Sequence, residues 1–295
     1  FNIKRDAEIT MECNPGTLNK VKLKAIKSLG INRLSMGLQV TQDHHLKYIG
    51  RIHTYEQFEK NYKDAIEVGI DNINVDLMYS LPNQSFDEWK ETLNKIINLN
   101  PSHISAYSLI LEEGTKFYDM YLNKEFELND EEVDISIYNY TIDTLYKNGY
   151  HKYEISNYAK EGYECKHNIV YWKCDNYLGL GPVASGYINN YRYSNICDIK
   201  EYNKCLEYNK KPIEEKNVLS KKDEMEEFIF MGLRMNEGIN LDEFYEKFNV
   251  NFKHKYNNIL DKLKNLNLII YQNNNIALTQ RGRELSNTVF IEFID

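Results

Sequence analysis

The chain has 295 residues, 42% hydrophobic and 27% charged, which is ordinary for a globular protein and long enough for one large domain and a smaller one. Its 36 Lys and Arg against 44 Asp and Glu leave a net charge of −8; this excludes a general nucleic-acid or anionic-membrane binder, whose phosphate-tracking surface needs clustered excess cations. Five scattered cysteines, Cys13, Cys165, Cys174, Cys197 and Cys205, form no C-x-x-C pair and no disulfide framework, so a cytoplasmic, reducing compartment is expected, and no apolar run approaches the ~20 residues of an integral membrane span.

The chain starts at Phe1 without an initiator Met or a signal peptide and enters a strand almost at once, so it reads as a fragment whose start is missing. A strand over Glu8–Asn14 ends at Pro15-Gly16. A helix follows with Leu18, Val21, Leu23, Ile26 and Leu29 as its apolar set, and Gly30 stops it. Residues 33–40 make a second strand and residues 41–53 a polar connection. A helix over about 55–68 carries Phe58, Tyr62, Ala65 and Ile66. A third strand covers Ile73–Tyr79, and Ser85 with Glu88 forms a capping-box pattern before a helix with Trp89, Leu93, Ile96 and Ile97 inward. Pro101 precedes a fourth strand, His103 to Leu111. Strands alternating with helices of this length mean βαβ units and a parallel sheet; an open or closed barrel fits best and a doubly wound sheet is the alternative. A helix over roughly 130–148 buries Val133, Ile137, Tyr140 and Leu145.

Residues 188–218 read as a polar linker. From Leu219 the pattern is helix, helix, helix and hairpin, with strands Leu268–Tyr271 and Asn275–Leu278 joined by Asn273-Asn274. This suggests a winged-helix-like α+β domain. Ten Lys and Arg against twelve Asp and Glu in residues 219–295 disfavour nucleic acid as its partner.

Polar residues recur at the ends of the predicted strands, where parallel β/α architectures bind ligands. Glu12, Gln39 and Asp76 lie at or near three such ends, Ser105 and Ser108 lie in the fourth strand, and Arg51 follows in a loop. Carboxylates are pure acceptors for an ammonium or a ribose diol, and the Arg fork suits a carboxylate or phosphate. The set suggests a small zwitterionic or nucleoside ligand; taken singly, each residue is equally a solvated loop side chain. His167 lies close to Tyr171 and Trp172. An imidazole beside aromatic surface suits a flat, metal-bearing ligand such as a haem, and equally a histidine satisfied in an aromatic core. Gly179-Leu180-Gly181-Pro182 reads as a tight turn.

Several segments in order carry a family resemblance. Glu12-Cys13-Asn14-Pro15-Gly16-Thr17-Leu18, Asn32 through Gln39, Ile49-Gly50-Arg51-Ile52-His53, Asp76 through Pro82, Tyr153 through Ala159, His167-Asn168-Ile169-Val170-Tyr171-Trp172 and the tail Leu278 through Gly282 resemble the coproporphyrinogen-oxidase-like radical-SAM proteins. The His167–Trp172 segment resembles the HemW haem chaperones within that group. The resemblance implies an α/β fold: a partial (β/α) barrel of the radical-SAM type over residues 1–187, then the linker and the C-terminal domain of residues 219–295. It implies S-adenosylmethionine contacted by Glu12, Gln39, Arg51 and Asp76, a [4Fe–4S] cluster, and haem at His167, passed to an acceptor such as a respiratory enzyme. The radical decarboxylation of coproporphyrinogen III is the alternative activity.

The chain also departs from that pattern. The C-x-x-x-C-x-x-C cluster motif is absent, and the family places it upstream of the segment where this chain begins. Ser80 stands where glycine is usual, Tyr158 where Phe is usual, and Val183 and Ser185 where the family's turn continues G-P-G-A-H.

Overall fold

A computed structural model describes residues 2–294, in two compact units, one up to Glu164 and the other from Cys165. The first unit contains β1 (Thr10–Cys13), α1 (Lys20–Ser28), β2 (Arg33–Gln39), α2 (Asp43–Tyr48), α3 (Tyr55–Val68), β3 (Ile73–Tyr79), α4 (Phe86–Leu99), β4 (His103–Ser108), α5 (Lys116–Leu122), α6 (Glu131–Lys147), β5 (His151–Lys152) and β6 (Asn157–Ala159). One six-stranded sheet runs β1-β2-β3-β4-β6-β5. Its first four strands are parallel and helix-connected, as the alternating pattern requires, and β6 and β5 continue it antiparallel.

Strand alternation gives this sheet two unlike faces. Leu34, Met36 and Leu38 of β2, Ile73, Val75 and Leu77 of β3 and Ile104 and Ala106 of β4 are buried in one core with Phe58, Tyr62 and Ala65 of α3 and Trp89, Leu93 and Ile96 of α4. The other face carries Glu12, Ser35, Gly37, Asn74, Asp76, His103, Ser105 and Tyr107. Both long crossover helices start at capping boxes, Thr54 with Gln57 and Ser85 with Glu88, so two backbone donors of each helix start are satisfied.

Four apolar residues expected inside are exposed: Val21, Leu29, Ile66 and Val133. Val21 lies two positions from the buried Leu23, about 200° around the helix, and Ile66 lies about 100° from Ala65. Leu29 has already left α1 as its C-cap, and Val133 sits in the first turn of α6. The connection over 41–53 also holds α2, a helix not anticipated.

The second unit begins with α7 (Lys166–Trp172) and a three-stranded antiparallel sheet of β7 (Ser185–Ile188), β8 (Tyr191–Asn195) and β9 (Ile213–Val218), with α8 (Ile199–Glu207) between the last two strands. Residues 188–218, expected as a linker, therefore form ordered strands and a helix; β9 is largely exposed, so the alternation that would reveal it is missing. Then follow α9 (Lys221–Gly232), β10 (Ile239–Asn240), α10 (Leu241–Phe248), α11 (Phe252–Lys255), α12 (Asn257–Asn265), β11 (Ile269–Gln272), β12 (Asn275–Leu278), α13 (Gln280–Glu284) and α14 (Ser286–Ile291). The strands pair as β10-β12-β11, and Asn273 and Asn274 take the left-handed backbone (φ 46° and 62°) of a tight hairpin turn. Among the described residues no helix is long and apolar enough to cross a membrane.

Candidate functional site

The polar face of the large sheet is a connected hydrogen-bond network. Register sets Glu12 opposite Ser35, Ser35 opposite Asn74, Gly37 opposite Asp76, Asn74 opposite His103 and Asp76 opposite Ser105. The Asn74 amide donates to Asp76 Oδ1 at 2.7 Å and to Ser35 Oγ at 2.9 Å, and the Ser35 hydroxyl donates to Asp76 Oδ2 at 3.1 Å. Asn74 Oδ1 accepts from His103 Nδ1 at 2.6 Å and from Ser105 Oγ at 3.1 Å. Because an amide oxygen only accepts, the network assigns the His103 proton to Nδ1; Nε2 then accepts from the Tyr153 hydroxyl at 2.8 Å. Burial lowers the His103 pKa to about 3, with Arg33 adding to the effect, so the ring is neutral and Asp76 is held by two donors on separate strands.

At the end of β2 the strand departs from regular pairing. A register shift between Gly37 and Gln39 and a left-handed backbone at Gln39 (φ 79°) form a bulge, a device that re-aims side chains beside sites and stores backbone strain. The Gln39 amide oxygen accepts from the Tyr107 hydroxyl at 3.1 Å. Arg51 follows α2 through Gly50 (φ 77°), and its amide bonds Leu46 O at 2.8 Å. The neighbouring buried His53 approaches Leu38 O at 3.4 Å, tying this loop to β2. Arg51 Nη1 donates to Asn14 Oδ1 at 3.0 Å, while the Gly16 amide donates to Asn61 Oδ1 of α3 at 2.8 Å, which fixes the turn after β1.

These groups converge on Gly37. A Cβ there would lie 3.2 Å from Gln39 Nε2, 3.9 Å from Arg51 Nη2 and 4.0 Å from Asn14 Oδ1. The glycine leaves a small cradle walled by an amide, a guanidinium and a second amide. Burial and the charges of Asp76 and Glu12 push the Cys13 thiol up to about 12, and burial with Asp76 also raises Tyr107, against the opposing pull of Arg51. Cys13 packs against the apolar core and its thiol donates to Ser35 O at 3.4 Å, so it is a neutral thiol rather than a nucleophile. Glu12, Gln39, Arg51 and Asp76 thus come together at one end and one face of the sheet. Among the described residues the cysteines join no cluster of potential metal ligands, so this chain's own thiols do not fit an iron–sulfur cluster.

In the second unit His167 is exposed in the first turn of α7. Its ring meets Tyr171 edge-on at 4.8 Å, and Tyr171 meets Tyr177 at 4.5 Å, so the imidazole heads an aromatic row instead of sitting in a core. Trp172 turns elsewhere, toward the Arg234 guanidinium at 5.6 Å. The Gly179–Pro182 turn is stapled to the small sheet: the Gly179 amide donates to the Tyr193 hydroxyl, and the Asn195 amide donates to Gly179 O and Gly181 O at 3.1 and 2.9 Å. Val183 keeps a left-handed backbone (φ 66°), as does Ser80 (φ 58°). The Ser80 hydroxyl offsets its strain with a 2.5 Å bond to Asp134. Ser108, at the C-terminal end of β4, makes no contact with the network described.

Strand-end position does not single out Ser35, Asn74, His103, Tyr107 or Tyr153. The signal for most of them was present as polar residues two apart: Ser35, Gly37 and Gln39; Asn74 and Asp76; His103, Ser105 and Tyr107.

Residues 2–96 match the model of the Radical SAM superfamily, and residues 219–285 that of the HemN C-terminal domain. The chain is 38% identical over 287 residues to Heme chaperone HemW of Lactococcus lactis, covering 97% of this chain and 75% of the relative. It is 34% identical over 288 residues to Heme chaperone HemW of Bacillus subtilis, covering 98% and 76%. The solved structure of coproporphyrinogen III oxidase (HemN) from Escherichia coli superposes with a TM-score of 0.81 at 21% identity, over 99% of this chain and 71% of that one; this likeness concerns the fold.

Proposed function

The chain belongs to the HemW family of radical-SAM proteins, and from that premise we propose that it binds haem through His167 and hands it to an acceptor protein, with S-adenosylmethionine held on the polar face of the large sheet. The observation that carries the S-adenosylmethionine reading is the convergence of Gln39, Arg51 and Asn14 on the Gly37 cradle, beside a carboxylate already oriented by Asn74 and Ser35. That donor and acceptor set fits a zwitterionic nucleoside: Arg51 suits its carboxylate, Glu12 and Asp76 suit its ammonium or ribose hydroxyls, and Gln39 serves either. The residues named here would bind and orient S-adenosylmethionine; the one-electron chemistry of that cofactor would need a [4Fe–4S] cluster whose ligands are not among this chain's thiols.

For haem, the exposed His167 imidazole would ligate the iron and the adjoining Tyr171 ring would supply apolar surface. Haem chaperone activity is favoured over coproporphyrinogen oxidation by the similarity to HemW chaperones over 97–98% of this chain, whereas HemN is close in fold alone. The two separate in one experiment. Full-length, cluster-reconstituted protein is incubated anaerobically with S-adenosylmethionine and a reductant, either with coproporphyrinogen III or with haem and an apo-acceptor. The chaperone reading predicts haem transfer and no vinyl product; vinyl product above background without transfer overturns it.

A further inference from the structure

A second cluster of ligating groups lies on the helix side of the first unit. We propose that His44, His45 and Glu88 form a transition-metal site of the zinc class that clamps α2 onto α4. His44 Nε2 lies 3.2 Å from Glu88 Oε1 and His45 Nε2 lies 3.4 Å from Glu88 Oε2. One ligand atom from each of the three falls within 4.8 Å of the others. Zn–N and Zn–O bonds of about 2.0–2.1 Å give tetrahedral ligand–ligand edges of about 3.3 Å, and the 3.2 Å from His44 Nε2 to Glu88 Oε1 matches such an edge. Two imidazoles and one carboxylate are also a donor set that zinc takes in three-ligand sites with an open fourth position.

The carboxylate is already oriented from behind. Glu88 Oε2 accepts from the Ser85 amide at 2.8 Å and the Ser85 hydroxyl at 2.9 Å, the capping box of α4, which leaves Oε1 for the metal. Such second contacts on a ligand raise its affinity for metal. An independent observation points to a missing partner. His45 is 2% exposed, yet its Nε2 makes no hydrogen bond of regular geometry: Glu88 Oε2 lies 3.4 Å away and already accepts from the two Ser85 donors. A buried ring nitrogen left so is costly, and a metal shared with His44 and Glu88 satisfies it. The two rings lie 4.1 Å apart, so neighbours in sequence reach the same point.

The consequence is positional. The connection from Gln39 to Arg51 contains α2, and its start is already held to α4 by Gln42, which donates to Glu88 O at 3.0 Å and accepts from Thr92 at 3.1 Å. A metal at His44, His45 and Glu88 fastens the rest of that connection, stiffening the segment between the two residues that wall the Gly37 cradle.

The test is anaerobic titration of the full chain with cobalt(II) and with zinc(II), read by visible absorption and by calorimetry. Wild type is compared with His44→Ala, an exposed substitution, and Glu88→Gln, which keeps an oxygen for the Ser85 donors. The expected result is a tetrahedral cobalt spectrum without thiolate charge-transfer bands and loss of at least about 100-fold in zinc affinity in both variants, beyond the effect of outer contacts alone. Metal-free melting of His44→Ala should match wild type. Cobalt bands and zinc affinity unchanged in His44→Ala, or a spectrum dominated by thiolate ligation, overturn the proposal.

Discussion

Gly37→Ala isolates the cradle at the end of the large sheet. Gly37 is absent from the positive-φ positions, so alanine is compatible with the backbone. As a strand residue it should even add about 0.5–1 kcal/mol relative to glycine. Its methyl, however, would stand 3.2 Å from Gln39 Nε2 and within 3.9 Å of Arg51 Nη2. The Gln39 amide must retreat by a few tenths of an ångström against its 3.1 Å bond to Tyr107, and the space offered to a ligand shrinks by a methyl group. An added methyl in a fitted pocket costs about 1–3 kcal/mol, or roughly 10–200-fold in affinity. Equilibrium dialysis of S-adenosylmethionine against full-length, cluster-reconstituted protein measures the loss, and urea unfolding measures stability. The expected pair is weakened binding with unchanged or increased stability. Wild-type binding in Gly37→Ala refutes the assignment of the cradle to this ligand.

Two further outcomes follow from other residues. His103 has its pKa lowered to about 3 by burial, against about 6.5 unfolded. Below pH 6.5 the unfolded chain takes a proton that the folded one refuses, so stability falls as pH drops from 6.5 toward 3, by up to about 1.4 kcal/mol per pH unit and roughly 2 kcal/mol at pH 5; urea titrations at pH 7 and 5 should show a difference about 2 kcal/mol smaller in His103→Gln, and an equal slope contradicts the neutral-ring network. Val183 holds a left-handed backbone (φ 66°) with an exposed side chain, so Val183→Gly should stabilise the protein by about 1 kcal/mol, seen as a raised denaturation midpoint; a lowered midpoint would show that the Val183 side chain contributes more than its backbone strain costs.

Periodicity made the parallel part of the first unit legible: α3 and β3 were read residue for residue, and the Ser85–Glu88 capping box was read as it stands. Where the reading failed, the cause is local. β5 and β6 have two and three residues, too short for any period to register. Val21 and Ile66 follow apolar composition but not the 3.6-residue turn. At the site, Glu12, Gln39 and Asp76 are legible as polar residues near strand ends and Arg51 as a loop cation, and the register brings them to one face of the sheet. The bulge at Gln39 is not legible, since nothing about a Gly-Leu-Gln run announces a left-handed glutamine. The interior pairing of Asn74 with His103 is a matter of register between strands 29 residues apart, which one strand's sequence does not contain.

Haem binding at His167 is measured by titrating haem into the full chain and into His167→Ala while following the Soret band. His167 is exposed on α7, so the variant should fold like wild type and its melting curve should match. A saturating Soret shift is expected in wild type and should be severely weakened in His167→Ala. A Soret band of equal position and saturation in the two proteins would contradict haem binding at His167.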